Sequence, residues 1–82
     1  MKKRYIDVVA KFTKEGTIRP VAMISEWGTE YEISRVTRMV PAASLKSGGL
    51  GVRYTCYIGT RMFYLYLEDG QKWFLEAATQ TA

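Results

Sequence analysis

The sequence predicts an all-β domain, an antiparallel meander of five or six strands. Three observations carry that expectation. Short runs alternate apolar and polar residues with a period of two. Glycine-bearing turns separate them at Lys14-Glu15-Gly16, Trp27-Gly28, Gly59-Thr60 and Glu68-Asp69-Gly70. Aromatic residues make up 13% of the chain, with six tyrosines, and such side chains favour a pleated, half-buried surface.

The first run is Ile6 to Phe12 and the second Ile18 to Ile24. A three-residue loop at Lys14–Gly16, with Gly16 left-handed, sets Phe12 opposite Ile18 and Ala10 opposite Pro20. The same register sets Val8 opposite Ala22 and Ile6 opposite Ile24, leaving one face apolar throughout. Pro20 donates no ladder hydrogen bond, so it calls for an edge-facing position or a bulge. After the Trp27-Gly28 turn and Tyr31-Glu32-Ile33, the alternation changes phase, and Val36 and Val40 continue the apolar set. An extra residue near Ser34-Arg35 accounts for that change. Pro41 ends the run, and Ala42 to Gly51 read as a longer connection with room for a short helical turn.

The last three strands are the most legible. Gly59-Thr60 suits a type II′ turn, which pairs Cys56 with Phe63, Tyr54 with Leu65 and Val52 with Leu67. A turn at Glu68-Asp69-Gly70 then sets Leu65 opposite Trp73 and Phe63 opposite Leu75. The expected result is a highly curved meander forming a small SH3-like barrel. Residues 1–82 read as one domain with a core over about 5–76 and a frayed tail at 77–82, because a chain of this size supports a single core.

The opposite face of the same strands carries Arg53 beside Tyr66, Thr55 beside Tyr64 and Tyr57 beside Met62, with Lys72 and Phe74 on the next strand. A fully solvated face would be charged and polar. Three readings fit: a second buried layer under the amino-terminal hairpin, a protein or homodimer interface, or a nucleic-acid surface. Charge adds to the third. The net charge is +4, and between Glu32 and Glu68 there is no acid, only Arg35, Arg38, Lys46, Arg53 and Arg61. Such segregation draws phosphates or acidic partners.

Enzyme chemistry has little to work with. The chain has no histidine and one cysteine, so the usual general base and the Cys/His zinc sites are missing. Cys56 cannot form an internal disulfide and falls on the inner face, where a thiol acts as a small hydrophobe. Glu26, Glu30 and Glu32 read as solvated carboxylates. Lys46-Ser47 precede the glycines of Leu45–Gly51, whereas a phosphate loop places Lys-Ser/Thr after them and a helix beyond. No cofactor is expected. No apolar run approaches the roughly 20 residues of a membrane span, and the basic start is broken by Asp7 and Lys11. A soluble, cytoplasmic protein is the expected setting.

The order Ile18-Arg19-Pro20-Val21-Ala22, Trp27-Gly28, Tyr31-Glu32-Ile33, Gly51–Cys56, Tyr64-Leu65-Tyr66 and Lys72-Trp73-Phe74 is similar to that of a group of small uncharacterised bacterial all-β proteins with SH3-like barrels. It also distantly resembles short β domains in some bacterial proteins of DNA-damage tolerance. The resemblance spans about residues 5–76 and implies the fold and a bacterial cytoplasmic setting; it brings no catalytic residues. The expected function is a non-enzymatic binding module for nucleic acid. Arg35, Arg38, Lys46, Arg53 and Arg61 would meet phosphates, and Tyr57, Tyr64 and Tyr66 would stack on bases. The alternative is a protein-interaction or homodimer module using the same face.

Overall fold

The computed structural model describes residues 3–43, 50–68 and 72–76. Among these residues eight strands, rather than the expected five or six, follow one another: β1 (Lys3–Tyr5), β2 (Asp7–Phe12), β3 (Ile18–Ile24), β4 (Glu30–Glu32), β5 (Arg35–Ala43), β6 (Leu50–Ile58), β7 (Arg61–Glu68) and β8 (Lys72–Glu76). All pairings are antiparallel. Five strands form one sheet in the order β1-β8-β7-β6-β5, and three form a second in the order β2-β3-β4. Among the described residues there is no helix.

The chain passes between the sheets at two corners. Ile6, between β1 and β2, donates its N–H to Trp73 O at 3.1 Å. Ile33 N–H donates to Val21 O in the small sheet, and Ser34 N–H donates to Tyr57 O in the large one. Both corners thus keep these N–H groups paired as the chain changes sheets. Ser34 Oγ also accepts the Gly59 N–H at 2.9 Å, tying the second corner to the β6–β7 turn.

The β2–β3 and β3–β4 turns are built alike. Thr13-Lys14-Glu15-Gly16-Thr17 and Ser25-Glu26-Trp27-Gly28-Thr29 each close with an N–H of the first residue on the carbonyl of the fifth. The first residue's hydroxyl oxygen accepts the fifth residue's N–H at 3.1 Å in both. Gly16 and Gly28 have φ of 90° and 87°, a region open to glycine at little cost.

Registers depart from expectation in three places. In β2–β3, Phe12 faces Ile18 and Ala10 faces Pro20 as expected, but Val8 faces Met23 and Asp7 faces Ile24. Val21 is the extra residue of a bulge, placed directly after the proline that cannot donate. In β5–β6, the bulge falls at Thr37 rather than near Ser34-Arg35. Val36 therefore faces Cys56, while Val40 faces Arg53 on the other side, and Met39 rather than Val40 stands opposite Tyr54. Pro41 does not end the strand: it pairs with Val52, and β5 runs to Ala43, with β6 resuming at Leu50. In β7–β8, Leu65 faces Leu75 and Leu67 faces Trp73, a shift of two that keeps every side chain on its expected face. The Gly59 turn holds its expected register throughout, from Cys56–Phe63 to Val52–Leu67, with Gly59 at φ 63°.

The core lies between the sheets. Met23 and Ile33 meet Tyr54, Cys56, Leu65 and Leu67, with Ile6, Val8, Ile18, Val36 and Trp73 packed around them. Tyr54 spans the core and donates its hydroxyl to Ile18 O, and its ring lies 5.3 Å from that of Trp73. Burial raises the Tyr54 phenol, an effect that Arg19 opposes. Burial also pushes the Cys56 thiol up from 9.0 to about 12. The unfolded chain releases that proton first, so stability is intact below pH 9 and declines as pH rises from 9 toward 12. Denaturant titrations at rising pH should show this decline, and Cys56→Ala should flatten it. Native Cys56 should also resist thiol reagents at neutral pH, where the unfolded chain reacts.

Candidate nucleic-acid interface

The face of the five-stranded sheet turned away from the core is fixed by the same registers. One row crosses all five strands: Val40, Arg53, Tyr66, Phe74 and Tyr5. A second row holds Arg38, Thr55 and Tyr64, and a third holds Arg35, Tyr57 and Met62. Cross-strand neighbours of this kind stand close enough for long side chains to touch.

They do touch. The Arg35 guanidinium lies 4.0 Å from the centroid of the Tyr57 ring, and that of Arg53 lies 4.7 Å from the Tyr64 ring. Tyr66 and Phe74 stack in parallel at 4.9 Å with 1° between planes. Tyr5 closes the row edge-on to Phe74 at 5.7 Å, and Lys72 Nζ sits 5.5 Å from the Tyr5 ring. Tyr5 also donates its hydroxyl to Glu68 Oε1 at 2.7 Å. Thr55 and Phe74 are buried although both point away from the core.

The amino-terminal hairpin does not cover this face. Met23, Val8 and Ile18 of β2 and β3 pack instead on the other side, against Tyr54, Cys56 and Leu65. The surface is a layer of rings and guanidinium groups over the sheet, with Tyr64 39% exposed and Arg35 and Arg38 in solvent. Arg53 Nε is buried and, among the described residues, has no hydrogen-bond partner. Each stacked pair holds a cation in one place, which reduces the side-chain entropy a ligand would otherwise have to remove.

Of the sequence-derived candidates, Arg35, Arg38, Arg53, Tyr57, Tyr64 and Tyr66 come together here. Arg61 does not: it stands opposite Ile58, on the core-side parity of the β6–β7 hairpin. Lys46 lies outside the described residues, as do the Glu68-Asp69-Gly70 turn beyond Glu68 and the tail at 77–82. Tyr5 joins the face without any sequence signal, because its place depends on β1 pairing with the last strand. Glu30 and Glu32 are exposed on β4, opposite Ile24 and Ala22. Among the described residues, no three His, Cys, Asp or Glu side chains converge as metal ligands would, and no helix is long and apolar enough to cross a membrane.

No protein-family model matches the chain, and no curated protein or solved structure is significantly similar to it.

Proposed function

We propose that this chain is a non-enzymatic module that binds nucleic acid on the outer face of the five-stranded sheet. The observation that carries the reading is the pairing of Arg35 with Tyr57 and Arg53 with Tyr64, in a segment free of acids from Ile33 to Leu67. Guanidinium groups attract phosphates, and tyrosine rings stack on bases at about 1–3 kcal/mol per base. In the same reading the two sheets, continuous through Ile6 and Ile33-Ser34, form a partly open SH3-like barrel. Such small barrels bind through an exposed sheet face rather than a deep pocket.

Arg35, Arg38 and Arg53 contact the phosphates, and Tyr57, Tyr64 and Tyr66 present ring faces or edges to bases. Glu68, held by the Tyr5 hydroxyl, marks the acidic border of the surface. The test is binding of labelled single- and double-stranded oligonucleotides at low ionic strength, repeated as salt is raised. Affinity should fall linearly on a log–log plot against salt. Absence of binding at low salt would refute the reading and favour a protein contact through the same tyrosines.

A further inference from the structure

A groove of about 1150 Å³ runs along the β1–β8 edge, between that edge and the β3–β4 turn. Its floor is core: Val8, Met23, Trp73 and Leu75. Trp27, at the tip of the turn, and Tyr31 on β4 form part of its wall and are 82% and 45% exposed. The turn itself needs Ser25 and Gly28, which close it by hydrogen bonds and a positive φ; the indole adds nothing to it. Small polar residues are the usual occupants of such a position. An indole protruding from the wall of an open groove with an apolar floor puts a knob and a hole on one surface, an arrangement that suits an interface.

The charges around the groove decide what fits. Arg4 and Lys72 line the side belonging to the large sheet, and Asp7 and Glu26 line the side belonging to the small one. A polyanion would meet both acids, and a partner of one charge sign would meet its like on one rim. A second copy related by a two-fold axis that runs along the groove does neither, because that rotation turns its acidic rim toward the basic rim and its basic rim toward the acidic one. Two-fold interfaces require this self-complementarity.

We propose that the groove is the interface of a homodimer in which Trp27 of each copy inserts into the groove of the other, against Met23, Trp73 and Leu75. The proposal is independent of nucleic-acid binding and uses a different surface from Tyr57 and Tyr64.

Sedimentation or light scattering of the full chain from about 1 µM to about 1 mM tests it. A monomer–dimer equilibrium is expected within that range. Trp27→Glu, at an exposed turn position, should keep the fold by circular dichroism and weaken association by about 30-fold or more. Tyr64→Ala should leave association unchanged. A monomer at every concentration, or a particle larger than a dimer, would overturn the proposal. So would a dimer that survives Trp27→Glu or is lost in Tyr64→Ala.

Discussion

Gly51→Ala should destabilise the fold by about 2–3 kcal/mol, although it adds one methyl group at a position with no positive φ. A Cβ at Gly51 would stand 2.7 Å from the Leu67 carbonyl oxygen and 3.5 Å from that of Ala42. Both are backbone atoms of the strands flanking β6, so no side-chain rotation relieves the clash. Relief requires β6 and β7 to separate, and the pairs Gly51–Glu68 and Val52–Leu67 lie at that point. Strain there reaches the core through Leu67, which is 4% exposed. For a domain of this size the loss corresponds to a fall in Tm of roughly 10–20 °C. Gly16→Ala is the useful contrast. Its added Cβ meets nothing within 4 Å, and only the left-handed backbone opposes it, at about 1–2 kcal/mol. Thermal melts of the two variants should therefore rank Gly51→Ala as the more damaging; a Gly51→Ala melt within about 4 °C of the parent would contradict the packing described for β6.

The second large effect concerns binding. Changing Arg35, Arg38 and Arg53 together to Gln should weaken oligonucleotide binding on the order of 100-fold or more at low salt, since hydrogen bonds to charged groups contribute about 1.5–3 kcal/mol each. Two of the three guanidinium groups are already stacked on tyrosines, so they reach a ligand without being reordered. The variant keeps the aliphatic part of each side chain that shields Thr55 and the sheet, so the fold is expected to survive. Changing Lys11, Lys14 and Arg19 to Gln removes the same charge from the β2–β3 hairpin. If binding depended on net charge alone, the two triple variants would lose affinity equally. On the proposed geometry the hairpin variant loses little.

Much of this surface could be read from the chain itself, for a definite reason. Gly59-Thr60 is a two-residue turn, and such turns leave one register, so Arg53–Tyr66, Thr55–Tyr64 and Tyr57–Met62 followed directly. The β7–β8 register lies two residues from the expected one because Leu65 and Leu67 are both apolar, as are Trp73 and Leu75. A period-two pattern does not distinguish such a shift. The β2–β3 slip had a different origin. Pro20 announced a bulge, but Val8, Val9, Val21, Ala22 and Met23 are all apolar, so the pattern did not say which residue was extra. Only packing selects Val8 and Met23 for the core and leaves Val9 and Val21 outside. Lys3-Arg4-Tyr5 carries no strand signal, since β1 is defined by its backbone pairing with β8, and the place of Tyr5 on the face follows from that pairing alone. Arg61 belongs to the acid-free segment, but its pairing with Ile58 shows that closeness in sequence to a face does not put a residue on it.

The proposed interface and the proposed dimer groove meet at the β1–β8 edge, where Tyr5 and Lys72 belong to both. Tyr57, Tyr64, Arg35 and Arg38 lie toward the β5 edge of the sheet, away from that border. A dimer built through Trp27 would therefore leave these residues open on each copy and offer two binding faces to one strand.

The salt dependence of single-stranded oligonucleotide binding, measured side by side for the parent and the Arg35/Arg38/Arg53→Gln variant, tests the central claim most directly. Each phosphate contact contributes about 0.7 to the slope of log affinity against log salt for single strands. The parent slope should exceed the variant's by about 2, one increment for each arginine removed. Equal slopes, or a parent that does not bind at low salt, would contradict the assignment of this face to nucleic acid.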